Sequence, residues 1–219
     1  MSDRFHCSDP TERAQGLTAA EDAVRRGDLV VLPTDTVYGI GADAFAPHAV
    51  TALLAAKGRG RDMPVPVLVG SWKTIEGLVD HVPPEVTDLV HAFWPGGLTL
   101  VVRHAASLAW DLGDARGTVA VRMPLHPVAI ELLRRTGPMA VSSANISGRP
   151  AALTCDDAIF QLGMGVEVYL DGGPCAADVP STIVDCTSVV PRLLRPGAVG
   201  VEQLRTVVGQ LEVPAGTLG

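Results

Sequence analysis

Short apolar runs of strand length alternate along this chain with segments of helical period, and that alternation restricts it to a layered α/β fold. A helix capped at Asp9 or Thr11 is expected to run to about Arg26 and to stop at Gly27. Residues 29–33, LVVLP, read as a buried strand closed by proline, and residues 34–42, TDTVYGIGA, read as a loop. A helix over residues 47–56 has Pro47 in its first turn. Strands are expected at 65–69, 98–103, 118–122, 139–142, 166–170, 182–185 and 192–194. Helices are expected to begin at Ser71 and Pro83 and to span 126–135 and 201–208. Hairpin-like turns at Gly172-Gly173 and at 189–191 favour a mixed sheet over a parallel one. No linker or repeat divides the chain, so one domain over residues 1–210 and a short tail over 211–219 are expected.

Charge and composition exclude several classes. Hydrophobic residues are 47% and charged residues 19%, a globular rather than a disordered balance. The net charge is −7, which opposes sequence-independent coating of nucleic acid and leaves room for weak or local RNA contact only. The four cysteines form no C-x-x-C and have no histidine at zinc spacing. No apolar stretch suits a membrane span and the first residues resemble no signal peptide, so a cytoplasmic protein without membrane contact is expected.

Polar clusters gather just after the expected strands. In PTDTVYG, Thr34, Asp35 and Thr36 suit a ligand site or simply a capped turn. KGRGR puts Lys57, Arg59 and Arg61 on a glycine-relaxed loop without the residue order of a P-loop. Such a loop clamps phosphate, or it is a solvated basic helix end. In TVAVR, which begins at Thr118, Arg122 sits among apolar neighbours and needs an anion from a ligand or from one of 24 acids. VSSANISGRP offers Ser142, Ser143 and Asn145 at a strand-to-loop transition where backbone can approach a phosphate, or a helix cap. Ser181 in PSTIVD and Arg195 in LLRPG complete the set. These cations and hydroxyls suit a nucleotide and a small zwitterion. With no Cys–His pair and no metal cage, catalysis would rest on positioning and electrostatics.

In this order, PTDTVYGIGADA, KGRGRD, WPGGLTLV, TVAVRMPLHP, SSANISGRP, STIVD and LLRPG resemble the YrdC/Sua5 family of threonylcarbamoyl-AMP synthases, over about residues 19–208. The resemblance implies an open, twisted mixed sheet with flanking helices around a large basic cavity. It implies a nucleotidyltransferase that converts ATP, L-threonine and bicarbonate to threonylcarbamoyl-AMP, pyrophosphate and water, with Mg²⁺ accompanying ATP. The product would pass to a separate transferase complex that makes N6-threonylcarbamoyladenosine in tRNA. By motif, Lys57 and Arg59 resemble the catalytic, phosphate-binding pair, with Arg61, Thr118, Ser143, Asn145 and Arg195 on the ATP side. Thr34 or Thr36, Arg122 and Ser181 resemble the threonine side. Many members read D-N-P-L-I-V-H after the basic loop; here Met63 and Leu68 replace the Asn and the His. Two alternatives are carbamoyl transfer in hydrogenase maturation, which the flanking regions of a larger protein support, and an RNA-binding module.

Overall fold

The computed structural model describes residues 2–175 and 179–216. The chain begins with β1 (Asp3–His6) and α1 (Pro10–Arg26). Asp9 caps α1 by accepting from the amides of Thr11 and Glu12, and Gly27 ends it in the left-handed region at φ 86°. Next come β2 (Val30–Leu32), β3 (Gly39–Asp43), α2 (Pro47–Ala56), β4 (Val67–Leu68), α3 (Ile75–Leu78) and α4 (Pro84–Phe93). β5 (Leu98–Arg103) and β6 (Thr118–Arg122) lead to α5 (Pro127–Thr136), β7 (Met139–Ser143), α6 (Cys155–Leu162) and β8 (Val168–Asp171). β9 (Thr182–Asp185), β10 (Arg192–Arg195) and α7 (Val201–Val208) follow. Ten strands make one open sheet in the order β1-β8-β2-β3-β7-β4-β6-β5-β9-β10. The β1–β8, β8–β2, β4–β6 and β5–β9 pairs are parallel and the rest antiparallel, so the sheet is mixed.

The two faces of the sheet are covered unequally, and this positions the site. On one face, Leu98, Leu100 and Val102 of β5, Val121 of β6 and Val184 of β9 join Val86 and Leu89 of α4 and Leu204 of α7 in one core. On the other, Leu17, Ala20 and Val24 of α1 and Val128 and Leu132 of α5 pack with Val30, Leu32, Leu68, Met139 and Val141. Register carries this second face from Leu68 to Arg122, and the Val101–Ala120 and Thr99–Ile183 pairs lie beyond it. Those positions floor a cavity to which no described helix residue contributes. The cavity therefore lies over the face of β6, β5 and β9 rather than beyond strand ends, because a mixed sheet points its carboxyl ends both ways.

Five local expectations change. The second half of the expected 34–42 loop is β3, where Ile40 and Ala42 are buried and the glycines allow close packing. A Cβ on Gly39 would meet Val141 at 2.6 Å, and one on Gly41 would meet Met139 at 2.8 Å. β1 was not expected, because a mostly exposed edge strand carries polar residues. α6 was not expected either; Thr154 and Asp157 form the capping box that starts it. Gly172-Gly173 is no hairpin, since β8 pairs with β1 and β2 and the chain then crosses to β9 at the far side of the sheet. Lastly, the segment after residue 210 begins docked: Leu211 is buried and the Glu212 backbone bonds to Pro191 and Leu193.

Candidate active site

The cavity has a volume of about 530 Å³, within the roughly 300–1,000 Å³ of small-molecule sites. Its walls come from strand ends and loops. Thr34 and Thr36 follow β2, Arg59 follows α2, Arg122 ends β6, Ser142 and Ser143 end β7, Ser181 precedes β9 and Arg195 ends β10. Thr118 begins β6 and also lines it. Leu68, Val101, Leu112, Val141 and Ile183 supply apolar wall, so charge recognition is concentrated on three guanidinium groups.

Those three guanidiniums differ in how far the protein neutralises them. Arg122 is buried at 6% exposure and its Nη2 donates to Asp35 at 2.6 Å. Its Nη1 donates to Thr36 Oγ1 at 2.9 Å and its Nε to the Gly96 carbonyl at 2.9 Å. The ion-pair alternative for Arg122 is thus present, and the same side chain still lines the cavity. Arg59 donates only to neutral acceptors: the Met63 and Pro64 carbonyls and Ser142 Oγ. Arg195 donates only to the Ser181 carbonyl and hydroxyl. Among the described residues neither Arg59 nor Arg195 has a carboxylate within 4.0 Å. Burial lowers the Arg59 guanidinium, and desolvation followed by the charge of Arg122 lowers Arg195. At Arg59 and Arg195 the cavity therefore carries positive charge that no described carboxylate within 4.0 Å offsets.

Three expected residues lie off the cavity wall. Lys57 is 2% exposed and turns inward, where Nζ donates to the carbonyls of Ser143 and Asn145, the latter at 2.7 Å, with Asn145 Oδ1 at 3.4 Å. Burial first, then Arg59, pushes this ammonium down to about 8. Asn145 is buried and spends its amide hydrogens on the Ile146 and Arg149 carbonyls. Arg61 points outward, paired with Asp111 at 2.6 Å and with Asp114 at 3.8 Å. Its backbone carbonyl accepts from the Asp114 amide, so it ties the basic loop to residues 111–114. Thr34, Thr36, Arg59, Thr118, Arg122, Ser143, Ser181 and Arg195 do converge. The sequence placed Asp35 in the PTDTVYG cluster without pairing it to Arg122, and it did not mark Thr99, whose Oγ1 lies 2.8 Å from Ser181 Oγ. The signal for Asp35 was present, since a buried strand arginine demands a nearby acid. Leu68 lines the cavity, whereas Met63 is half exposed outside it.

Among the described residues no group of three or more His, Cys, Asp or Glu side chains is arranged to hold a metal ion. The fold and the site together define an α/β protein with a sheet-face cavity onto which three guanidinium groups open. The Sua5/YciO/YrdC family model, described as telomere recombination, matches residues 22–197, and the chain belongs to that family. The chain is 62% identical over 209 residues to a putative threonylcarbamoyl-AMP synthase of Mycobacterium tuberculosis, covering 95% of this chain and 96% of that one. It is also similar to the crystal structure of Pyrococcus abyssi Sua5 complexed with L-threonine, with TM-score 0.92 and 34% identity. That match covers 100% of this chain and 64% of the Pyrococcus chain, so this chain spans less than two thirds of that relative. Escherichia coli YciO shares the fold at TM-score 0.82, with 22% identity, over 93% of this chain and 100% of its own.

Proposed function

We propose that this chain is a threonylcarbamoyl-AMP synthase, a nucleotidyltransferase that joins ATP, L-threonine and bicarbonate. The observation that carries this reading is the pair Arg59 and Arg195, two guanidiniums of one cavity that the described protein leaves without a carboxylate. A triphosphate supplies the missing charge, and forked guanidinium donors match its oxygens. The neutral threonine amine attacks bicarbonate and yields a carbamate with loss of water. A carbamate oxygen then attacks the α-phosphorus and pyrophosphate leaves. Arg59 and Arg195 offset charge on the phosphates, while Arg122, Thr36 and Ser181 orient the amino acid. Ser142 holds Arg59, and Ser181 holds Arg195. The apolar wall limits water near a mixed anhydride that hydrolyses readily.

Lys57 enters this reading indirectly. Its ammonium fixes the Ser143–Asn145 backbone that presents the Ser143 hydroxyl. Mg²⁺ enters this reading only as the companion of ATP, with no protein ligand assigned to it. Its ligands would be phosphate oxygens and water, and when bound it neutralises phosphate charge. Residues 1–210 form the catalytic unit in this reading. The cytoplasm, where ATP and tRNA meet, is the proposed compartment, and the product serves a tRNA-modifying transferase complex. None of the described helices is long and apolar enough to cross a membrane.

Mass spectrometry of the product made from ATP, ¹³C-bicarbonate and single amino acids tests the reading. The expected product is an adenylate that carries the label and threonine, with less formed from serine. No labelled adenylate from any amino acid overturns it.

A further inference from the structure

The hydroxyls of the buried residues Thr34 and Thr36, which both line the cavity, lie side by side with Oγ1 atoms 3.0 Å apart. Distance alone leaves open which hydroxyl donates to the other, but the surrounding partners decide it. Thr34 Oγ1 lies 2.7 Å from the Val37 carbonyl oxygen, which can only accept, so the one Thr34 proton is committed there. Thr34 Oγ1 also accepts from the Thr36 amide at 3.1 Å. Its remaining lone pair must therefore accept from the Thr36 hydroxyl. That leaves Thr34 with one hydrogen bond donated and two accepted, the full capacity of a hydroxyl. Thr36 Oγ1 meanwhile accepts from Arg122 Nη1, a guanidinium nitrogen that cannot accept. The Arg122 guanidinium is in turn held by Asp35 through its other terminal nitrogen, Nη2, and the chain of donors runs in one direction from Arg122 Nη1 to the Val37 carbonyl.

We propose that Thr34 is a positioning residue that fixes the Thr36 proton, so that Thr36 meets the substrate through a single free lone pair. Thr36 then accepts a hydrogen bond and cannot donate one. On the synthase reading, on which this assignment of the ligand rests, the matching donor is an N–H or O–H of the amino acid. An accepted amine N–H aims the nitrogen lone pair away from Thr36, which suits attack on bicarbonate. With valine at 34 the Thr36 hydroxyl loses its internal acceptor and turns its proton into the cavity, where it opposes the substrate donor. Thr34 thus acts on the substrate through Thr36 without touching it.

Neutron diffraction from deuterium-exchanged crystals of the ligand-free protein reads the direction of the chain without reference to turnover. The expected map places the Thr36 deuteron toward Thr34 Oγ1 and the Thr34 deuteron toward the Val37 oxygen. A Thr36 deuteron directed into the cavity overturns the proposal. Kinetics supply the second measurement. Thr36→Val and Thr34→Val should each raise KM for threonine by about tenfold, the worth of one buried hydrogen bond, with KM for ATP little changed. The double variant should be no worse than Thr36→Val alone, and Thr34→Ser should behave as the parent. Effects of the two single substitutions that multiply in the double variant, or an equal rise in KM for ATP, count against it. A parent protein that forms no adenylate defeats the synthase reading, and the neutron result then decides the hydroxyl chain by itself.

Discussion

Lys57 illustrates how a residue type can be legible while its direction is not. The sequence marks it as one of two lysines in a chain with 15 arginines, at the start of a basic loop. The structure turns it inward, onto carbonyls that would be left without a partner if the ammonium were removed. Its ammonium is pushed down to about 8 from an ordinary 10.5. Between these two values the unfolded chain holds more protons than the folded one, so this group makes stability rise with pH across that window. Buried thiols oppose it, because burial raises Cys7 to about 11 and Cys155 and Cys186 to about 12. The measurement is therefore a difference. Unfolding by urea at pH 7 and pH 11 should show the stability of Lys57→Met relative to the parent, whatever the fixed cost of the unpartnered carbonyls, falling from pH 7 to pH 11. The pH-dependent part is roughly 3 kcal/mol at full span. Parallel pH profiles for the two proteins would mean that Lys57 is not held as a buried cation. Arg122 was more legible than Lys57, because an arginine within an apolar strand requires an anion wherever it points, whereas a loop lysine does not declare which side of the loop it faces.

Among the elements, apolar periodicity was the dependable signal. α1, α2, β5 and β6 fall where it places them, since each buries a helical, alternating or continuous set of side chains. β1 escapes because an edge strand hides little, and β3 escapes because two of its five residues are glycines required by neighbouring side chains. α6 escapes because only Cys155 and Ala158 are buried in it, yet it bears on the site. Gln161 in α6 accepts from the Ile146 amide and donates to the Pro150 carbonyl, which braces the loop between Ser143 and Ala151, both of which line the cavity. Gln161→Leu removes both bonds at a partly exposed position. It should lower Tm by about 2–4 °C, as the loss of about 1 kcal/mol implies for a chain of this size. KM for ATP should rise severalfold with KM for threonine nearly constant, because Thr34, Thr36 and Arg122 stand on other elements. Equal rises in both constants would show that α6 supports the whole cavity rather than one wall.

At the scale of the whole molecule, net charge and local charge have opposite signs. The chain carries −7, while the cavity gathers Arg59, Arg122 and Arg195, of which only Arg122 is paired to an acid, Asp35, among the described residues. The acidic exterior disfavours long polyanions, and the enclosed cations favour a compact one. Ligand binding to the folded state alone raises stability by about 2.7 kcal/mol when ligand stands at 100 times its Kd. For a domain of this size that corresponds to a rise in Tm of roughly 5–10 °C. ATP with Mg²⁺ should produce such a rise, and added salt should diminish it as the phosphate contacts are screened. Arg59→Ala and Arg195→Ala should each reduce the rise, and the double variant should abolish it while leaving the unliganded Tm within a few degrees of the parent, because neither arginine holds a carboxylate among the described residues. Duplex RNA at the same phosphate concentration should leave Tm unchanged. If RNA stabilises the fold and ATP does not, the cationic cavity is not the seat of the interaction, and an RNA-binding surface elsewhere becomes the better account of the molecule.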